Sequence, residues 1–108
     1  MATGQGTIDH ITDLLSDLAP VRALPMFGEF GLYIGVKLVG LICNDTLYLK
    51  PTPATADSPL DRAPPYPKAK PHLVVHDDLL DDRDALTDLV RATAESLPQP
   101  KKIPKRLQ

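Results

Sequence analysis

The sequence lacks the residues on which several common function classes depend. It has no tryptophan, few aromatic residues and a single cysteine, Cys43, among 108 residues. A lone cysteine excludes an intrachain disulfide and fits a reducing compartment. Few aromatics argue against a stacking platform for single-stranded nucleic acid. No apolar run is long enough to cross a bilayer, and the first residues lack the features of a secretory signal. We therefore expect a cytoplasmic protein without membrane association.

Recognisable catalytic and metal-binding patterns are also missing. Cys43 has no neighbouring base to activate its thiol, so a buried, hydrophobic role is expected. The glycines between residues 28 and 40 fall among predicted strands, not in a phosphate-binding loop before a helix. His72 and His76 lie four residues apart at the end of a predicted strand, too far separated to share one ion. We expect no enzyme activity, no cofactor and no metal.

The net charge of −2 is small, but the charges are unevenly placed. An acidic run spans residues 77–84, and a basic tail contains Lys101, Lys102, Lys105 and Arg106. The tail favours a solvated segment, with weak salt-dependent contact to nucleic acid as the alternative. Both predicted helices carry acidic polar faces and no recognition helix is present, so direct DNA binding is not expected.

The stretch from Met26 to Pro51 organises the chain as three strands and two tight turns. The strands are predicted at Phe30–Ile34, Lys37–Cys43 and Thr46–Lys50. Gly35 can take the positive φ of a type II′ turn, and residues 44–45 also tolerate the left-handed region. Simple alternation places Leu38, Gly40 and Ile42 on one face of the middle strand and Val39, Leu41 and Cys43 on the other. Since both faces are apolar, helices should cover one and the proline-rich segment or a second subunit the other.

Helices are predicted at both ends of this sheet. The first should run from an N-cap at Thr7 to about Ala19, with residues 1–6 frayed. The second should begin at an N-cap Asp81, bury Leu86 and Val90, and stop before Pro98. Short strands are expected at residues 21–26, on an edge, and at residues 72–75.

The segment from Pro51 to Pro71, which we call the strap, holds more than half of the chain's 12 prolines. One helical turn is predicted at residues 57–62 and an extended, polyproline-like backbone at residues 63–67. So long a connection in a small domain is usually functional or disordered, and Tyr66 among prolines favours a fixed strap. The sequence thus predicts one α+β domain over residues 1–97, an antiparallel sheet carrying terminal helices, and a disordered basic tail over 98–108.

Four short motifs carry a family resemblance. They are Met26-Phe27-Gly28, Gly31-Leu32-Tyr33, the run from Leu47 to Pro51 and the run from Pro65 to Pro71. In this order they resemble the N-terminal domain of the TfoX (Sxy) competence regulators, over roughly Ile11 to Leu97. The resemblance implies a small α+β domain without catalytic residues, and a partner such as the cyclic-AMP receptor protein at promoters.

Two departures from the family pattern qualify what the resemblance implies. The family often has Asp-Gly at the first hairpin, where this chain has Gly35-Val36. The sequence also stops at Gln108, before the second, helical domain of full-length regulators, so we expect a stand-alone domain.

These observations lead to two functional hypotheses. The first is a non-enzymatic regulatory or adaptor domain that acts through protein–protein contacts. The alternative is a small-ligand-binding protein, or an unrecognised enzyme, with a pocket under the strap. The candidate binding surface contains Phe27, Tyr33, Tyr66 and Lys70. Because both faces of the middle strand are apolar, a homodimer is also expected.

Overall fold

The computed structural model describes residues 3–18, 20–26 and 29–100. Phe27, which was predicted to line the binding surface, and the basic tail from Lys101 onward, which was predicted to be disordered, lie outside the described residues. The elements are α1 Gln5–Leu14, β1 Val21–Met26, β2 Glu29–Ile34, β3 Lys37–Cys43, β4 Thr46–Leu49, a 3₁₀ turn Pro53–Thr55, β5 Arg62–Ala63, β6 His72–Val75, α2 Asp77–Leu80 and α3 Arg83–Ser96.

The strands form one antiparallel sheet of six, in the order β1-β2-β3-β4-β6-β5. The predicted α+β class, the meander and the edge position of residues 21–26 are confirmed. Both turns form as predicted: Gly35 has φ 61°, while Asn44 and Asp45 have φ 50° and 60°. Two consecutive positive φ values match the twist that a two-residue hairpin requires.

A β-bulge interrupts the alternation of side chains along β3. Leu32 pairs with Gly40 and Tyr33 pairs with Leu38, which leaves Val39 as an extra residue. Val39 therefore joins Ile42 in the hydrophobic core. The predicted grouping of Val39 with Leu41 and Cys43 on one face was wrong, because strict alternation does not survive an inserted residue.

The core lies between the helices and one face of the sheet. α1 contributes Ile8, Ile11 and Leu14, and α3 contributes Leu86, Val90 and Ala94. The sheet contributes Leu32, Ile34, Val39, Ile42, Leu47, Leu49, Leu73 and Val75. The terminal helices thus pack on the sheet as predicted, and the opposite face remains for other contacts.

The predicted limits of the first helix were wrong at both ends. α1 begins after the N-cap Gly4 and ends at Leu14, so Thr7 lies inside the first turn. Thr3 is only 8% exposed, which contradicts the frayed start predicted for this residue. The cause is a distant side chain, that of Asp45, which accepts hydrogen bonds from both Gly4 and Thr7.

The second predicted helix begins one residue later than predicted, and a short helix that was not predicted precedes it. Residues 77–80 form the short α2, and Asp82, not Asp81, caps α3 by accepting a 3.1 Å hydrogen bond from the Ala85 amide. α3 ends before Pro98, as predicted. At that end the Lys37 ammonium donates to the Ala94 carbonyl at 2.9 Å. A cation is favourable there, because the helix dipole places partial negative charge at the C-terminus.

The strap differs from its prediction. Its helical turn lies at residues 53–55, where Thr52 and Thr55 cap each other, while Arg62 and Ala63 form β5 against β6. The extended backbone predicted through Pro67 also gives way to a turn. The Ala69 amide donates to the Tyr66 carbonyl at 3.1 Å, and Lys68 has φ 71°. Proline followed by a positive-φ residue is the pattern of a type II turn.

Candidate functional site

The strap covers part of the sheet face opposite the helices. Pro65 is buried against this face, while the Tyr66 side chain at its rim is 50% exposed. Leu38 and Leu41 of β3 are only half-buried, in contrast to the fully buried Ile42 on the helix side. The second face of the middle strand is therefore covered incompletely, and a groove opens between strap and sheet.

The groove has two chambers. The first, of about 490 Å³, is lined by Met26, Glu29, Phe30, Leu41, Cys43, Asn44, Pro65, Tyr66 and Pro67. The second, of about 410 Å³, is lined by Met26, Leu38, Leu41, Lys50, Tyr66, Lys68, Ala69, Lys70 and His72. Because Met26, Leu41 and Tyr66 line both, we treat the chambers as one site, the strap groove.

The first chamber is mainly apolar and holds the chain's only cysteine. Burial, together with the nearby Glu29 carboxylate, raises the pKa of the Cys43 thiol. A thiol with a raised pKa remains protonated at neutral pH and is a weak nucleophile. The structure thus supports the buried, hydrophobic role predicted for Cys43, and this chamber is suited to binding apolar groups.

The second chamber adds positive charge to the same apolar floor. Lys50 follows β4, and Lys68 and Lys70 lie on the strap at and after the type II turn. The His72 ring is positioned by a 2.8 Å contact between its Nδ1 atom and the Lys70 carbonyl oxygen. The groove therefore changes from apolar to cationic along its length.

The residues predicted from the sequence form part of this site. Tyr66 lines both chambers and Lys70 lines the second, as the hypothesis of a pocket under the strap requires. Tyr33 does not line either chamber; it is buried on β2 between Arg22 and Leu38 of the neighbouring strands. The missed residues include Met26 and Leu41. The sequence feature that could have identified them is an apolar residue on a predicted strand whose side chain faces away from the predicted helices.

Two carboxylates near the groove hold the N-terminal segment against the β3–β4 turn. Glu29 accepts the Thr3 amide at 3.0 Å and the Asn44 amide at 3.1 Å. Asp45 Oδ1 accepts the Gly4 amide at 2.7 Å and the Thr7 hydroxyl at 2.9 Å. We call this arrangement the N-terminal clamp. It gives the start of α1 the acceptor that the helix itself lacks.

Hydrogen bonding in the clamp favours the ionised carboxylates. The Gly4 amide and then the Thr7 hydroxyl lower the pKa of Asp45. For Glu29, burial acts to raise the pKa, but the combined hydrogen bonds from Thr3 and Asn44 leave the pKa below its ordinary value. The clamp is thus strongest when both groups are charged.

The clamp predicts a pH-dependent stability. Because the folded-state pKa values are lowered, the stabilisation is present above the unfolded pKa of about 4 and is lost as the pH falls through the folded values. Asp45→Asn keeps a residue that tolerates positive φ but removes the charge. Urea unfolding should give this variant a lower free energy of unfolding than wild type at pH 7. The difference between the two proteins should shrink towards pH 3.

The matched control is Asp57→Asn, which removes an exposed carboxylate from the strap instead of the clamp. Its effect on the free energy of unfolding should be small at every pH. A wild-type advantage over Asp45→Asn that stayed constant from pH 7 to pH 3 would contradict the role of the charged clamp.

The comparison with known proteins decides the family. A model of the TfoX N-terminal domain matches residues 13–97. The chain belongs to the TfoX N-terminal domain family. A relative from Spirochaeta aurantia, described as an uncharacterized 12.7 kDa protein in the trpE 5′ region, is 38% identical over 104 residues. The match covers 94% of this chain and 89% of that protein, so the similarity extends through strap and sheet alike.

Outside the groove and the clamp, the polar groups in the described part of this TfoX N-terminal domain form no recognisable metal site. His76 Nε2 lies 3.0 Å from Asp61 Oδ2, with both side chains largely exposed. Asp77 and Asp78 occupy the first turn of α2, where negative charge meets the positive end of the helix dipole. Within the described ranges, no group of three histidine, cysteine or acidic side chains is placed to hold a metal ion. No described helix is both long and apolar enough to cross a membrane.

Proposed function

We propose that this TfoX N-terminal domain is a non-enzymatic regulatory or adaptor domain of the cytoplasm, which acts through protein contacts made by its strap face. The observation that carries the proposal is the strap groove. Apolar side chains of the central strand remain half-buried there, beside a half-exposed tyrosine. Membership of a family that is not one of enzymes supports the same conclusion.

The composition of the groove suits an interface. Contiguous exposed apolar surface marks interaction sites on soluble domains. Aromatic side chains and methionine are enriched at the centres of such interfaces, and Tyr66 and Met26 supply both here. Burying Leu38 and Leu41 against a partner would complete the cover of β3 that the strap leaves unfinished. The family resemblance makes a transcription protein such as the cyclic-AMP receptor protein the first partner to test.

Site-specific photocrosslinking in the native host tests the adaptor proposal. Tyr66 is replaced with p-benzoylphenylalanine, which keeps an aromatic ring at the rim of the groove. The matched control carries the same group at Asp88, an exposed position on the outer side of α3. We expect one defined heterologous adduct from position 66, identified by mass spectrometry as a regulatory protein, and none from position 88.

Two outcomes would contradict the adaptor role. One is the absence of any adduct from position 66 while the label itself is shown to be incorporated. The other is an adduct of the chain with itself, which would assign the strap face to a homodimer instead. A second copy is the competing occupant because it carries the same apolar surface.

Small-ligand binding is a second candidate for the same groove. Its chambers of about 490 and 410 Å³ fall within the range of about 300–1,000 Å³ typical of ligand pockets. They also combine a mainly apolar lining with a few polar groups, as such pockets do. This candidate predicts saturable binding of a small amphipathic molecule to the isolated chain.

A further inference from the structure

We infer that the strap groove binds a small amphipathic carboxylate, with its apolar tail in the first chamber and its carboxylate among the lysines of the second. The inference rests on the small-ligand candidate and specifies the chemical class of the ligand. It follows from three features: the unpaired lysines, the direction of the charge gradient and the continuous apolar floor.

The lysines of the second chamber have no acidic partner of their own within the part of the chain that the structure describes. Among the described residues, no carboxylate lies within salt-bridge distance of Lys50, Lys68 or Lys70. Because all three lysines line one chamber, an anion bound there would be attracted by three positive charges at once. A carboxylate also accepts charge-assisted hydrogen bonds, which are stronger than neutral ones.

The backbone of the strap holds one of these lysines in a costly conformation. Lys68 has φ 71° at the third position of the turn, where glycine or asparagine is the usual residue. A lysine in the left-handed region costs roughly 1 kcal/mol, so the turn is maintained by the surrounding strap rather than by Lys68 itself. The turn fixes the direction in which the Lys68 side chain leaves the strap.

The opposite end of the groove sets the orientation of the ligand. Glu29 lines the first chamber, and its hydrogen bonds from Thr3 and Asn44 keep the carboxylate in place. A negative charge at this end repels an anion, whereas the lysines at the other end attract one. The ligand's carboxylate should therefore point towards Lys68 and Lys70, leaving its tail beside Leu41 and Cys43.

The dimensions suit an extended tail. Residues 38 and 43 of β3, which line opposite ends of the groove, are separated by about 13 Å, because the bulge at Val39 removes roughly one residue's rise from this part of the strand. A medium-length alkyl chain can lie along this distance in contact with Met26 and Leu41. An acidic peptide would satisfy the lysines but leave the apolar first chamber uncovered, so a small amphiphile fits the whole groove better.

Calorimetric titration of the full chain with three ten-carbon probes tests the inference. Decanoate, decanol and decyltrimethylammonium share a tail length but carry negative, neutral and positive heads. Below the micelle concentrations of the two ions and the solubility limit of decanol, we expect saturable binding of decanoate at least tenfold tighter than that of the cation, with decanol between them. Raising the salt concentration should weaken decanoate binding and leave decanol binding unchanged.

Variants separate the lysines from general effects of charge. Lys68→Asn combined with Lys70→Gln removes two positive charges, and asparagine tolerates the positive φ of the turn. We expect about a tenfold loss of decanoate affinity with unchanged decanol affinity. The matched control, Arg83→Gln with Arg91→Gln, removes two exposed cations from α3, away from the groove, and should bind decanoate like wild type. Circular dichroism melting verifies that all proteins are folded.

The outcomes distinguish the inference from the proposals on which it rests. Equal affinity for all three probes, or no loss in the lysine variant, would overturn the anion inference while retaining small-ligand binding. Failure of every probe to bind would overturn both. Binding of a poly-glutamate peptide without binding of decanoate would assign the lysines to an acidic protein and also overturn the inference. The photocrosslinking result is independent of these measurements.

Discussion

Replacing Gly40 with alanine should destabilise the domain by about 3 kcal/mol or more, a large part of the 5–15 kcal/mol typical of small domains. A Cβ atom at this position would lie 2.2 Å from the Tyr48 carbonyl oxygen and 3.2 Å from the Leu49 Cα atom. Both atoms belong to the backbone of the neighbouring strand, which cannot rotate away as a side chain can. Relief would require β3 and β4 to separate beside the bulge.

Urea unfolding of Gly40→Ala measures this effect, and Gly6→Ala is the matched control. A Cβ atom at Gly6, in the first turns of α1, meets nothing within 4 Å. Because alanine favours a helix over glycine, the control should be neutral or stabilised by up to about 1 kcal/mol. If Gly40→Ala unfolded at the same urea concentration as wild type, this result would contradict the close approach of the β3 and β4 backbones at Gly40.

Truncating Ile42 should cost about 3–4 kcal/mol, whereas truncating its neighbour Leu41 should cost about 1 kcal/mol. Ile42 is fully buried between the sheet and the helices, so Ile42→Ala leaves a cavity in the core. Leu41 is half-buried on the groove side, where water can fill the space that Leu41→Ala opens. Two adjacent residues of one strand thus report on its two faces.

Chemical unfolding of the two variants under identical conditions provides the measurement. Leu41→Ala should also weaken decanoate binding while the protein remains folded, because Leu41 lines both chambers. A Leu41→Ala cost equal to that of Ile42→Ala would show that the strap face is a second core. That result would contradict the proposed binding groove.

Local sequence determined the parts of the fold that need only local chemistry. The turns at Gly35 and at Asn44-Asp45 could be predicted because few residue types readily adopt a positive φ. The predicted ends of the strands that these turns connect agree with the observed ends to within one residue. The bulge at Val39 had no such signal, since any residue can occupy it and only the pairing with β2 reveals it.

The predictions were wrong where the boundary or type of an element depends on contacts with residues distant in the sequence. The start of α1 depends on Asp45, which lies 41 positions after Gly4 in the chain. The strap's Arg62 was assigned to a helical turn, but pairing with Leu73 of β6 makes it a strand residue. The groove likewise depends on contacts between distant segments that local sequence does not predict. Tyr66 and Lys70 could be proposed from a proline-rich segment, whereas their position beside Met26 around one groove depends on how the strap crosses the sheet.

The proposed binding groove depends most on the difference in solvent exposure between the two faces of β3. Methyl NMR with a soluble gadolinium chelate measures it directly, because the chelate broadens methyl groups that approach solvent. We expect strong broadening of the Leu41 methyl signals and protection of the Ile42 methyl signals in the dilute protein. Equal protection of both residues at every protein concentration would show that the strap face is closed, and would contradict a binding groove there.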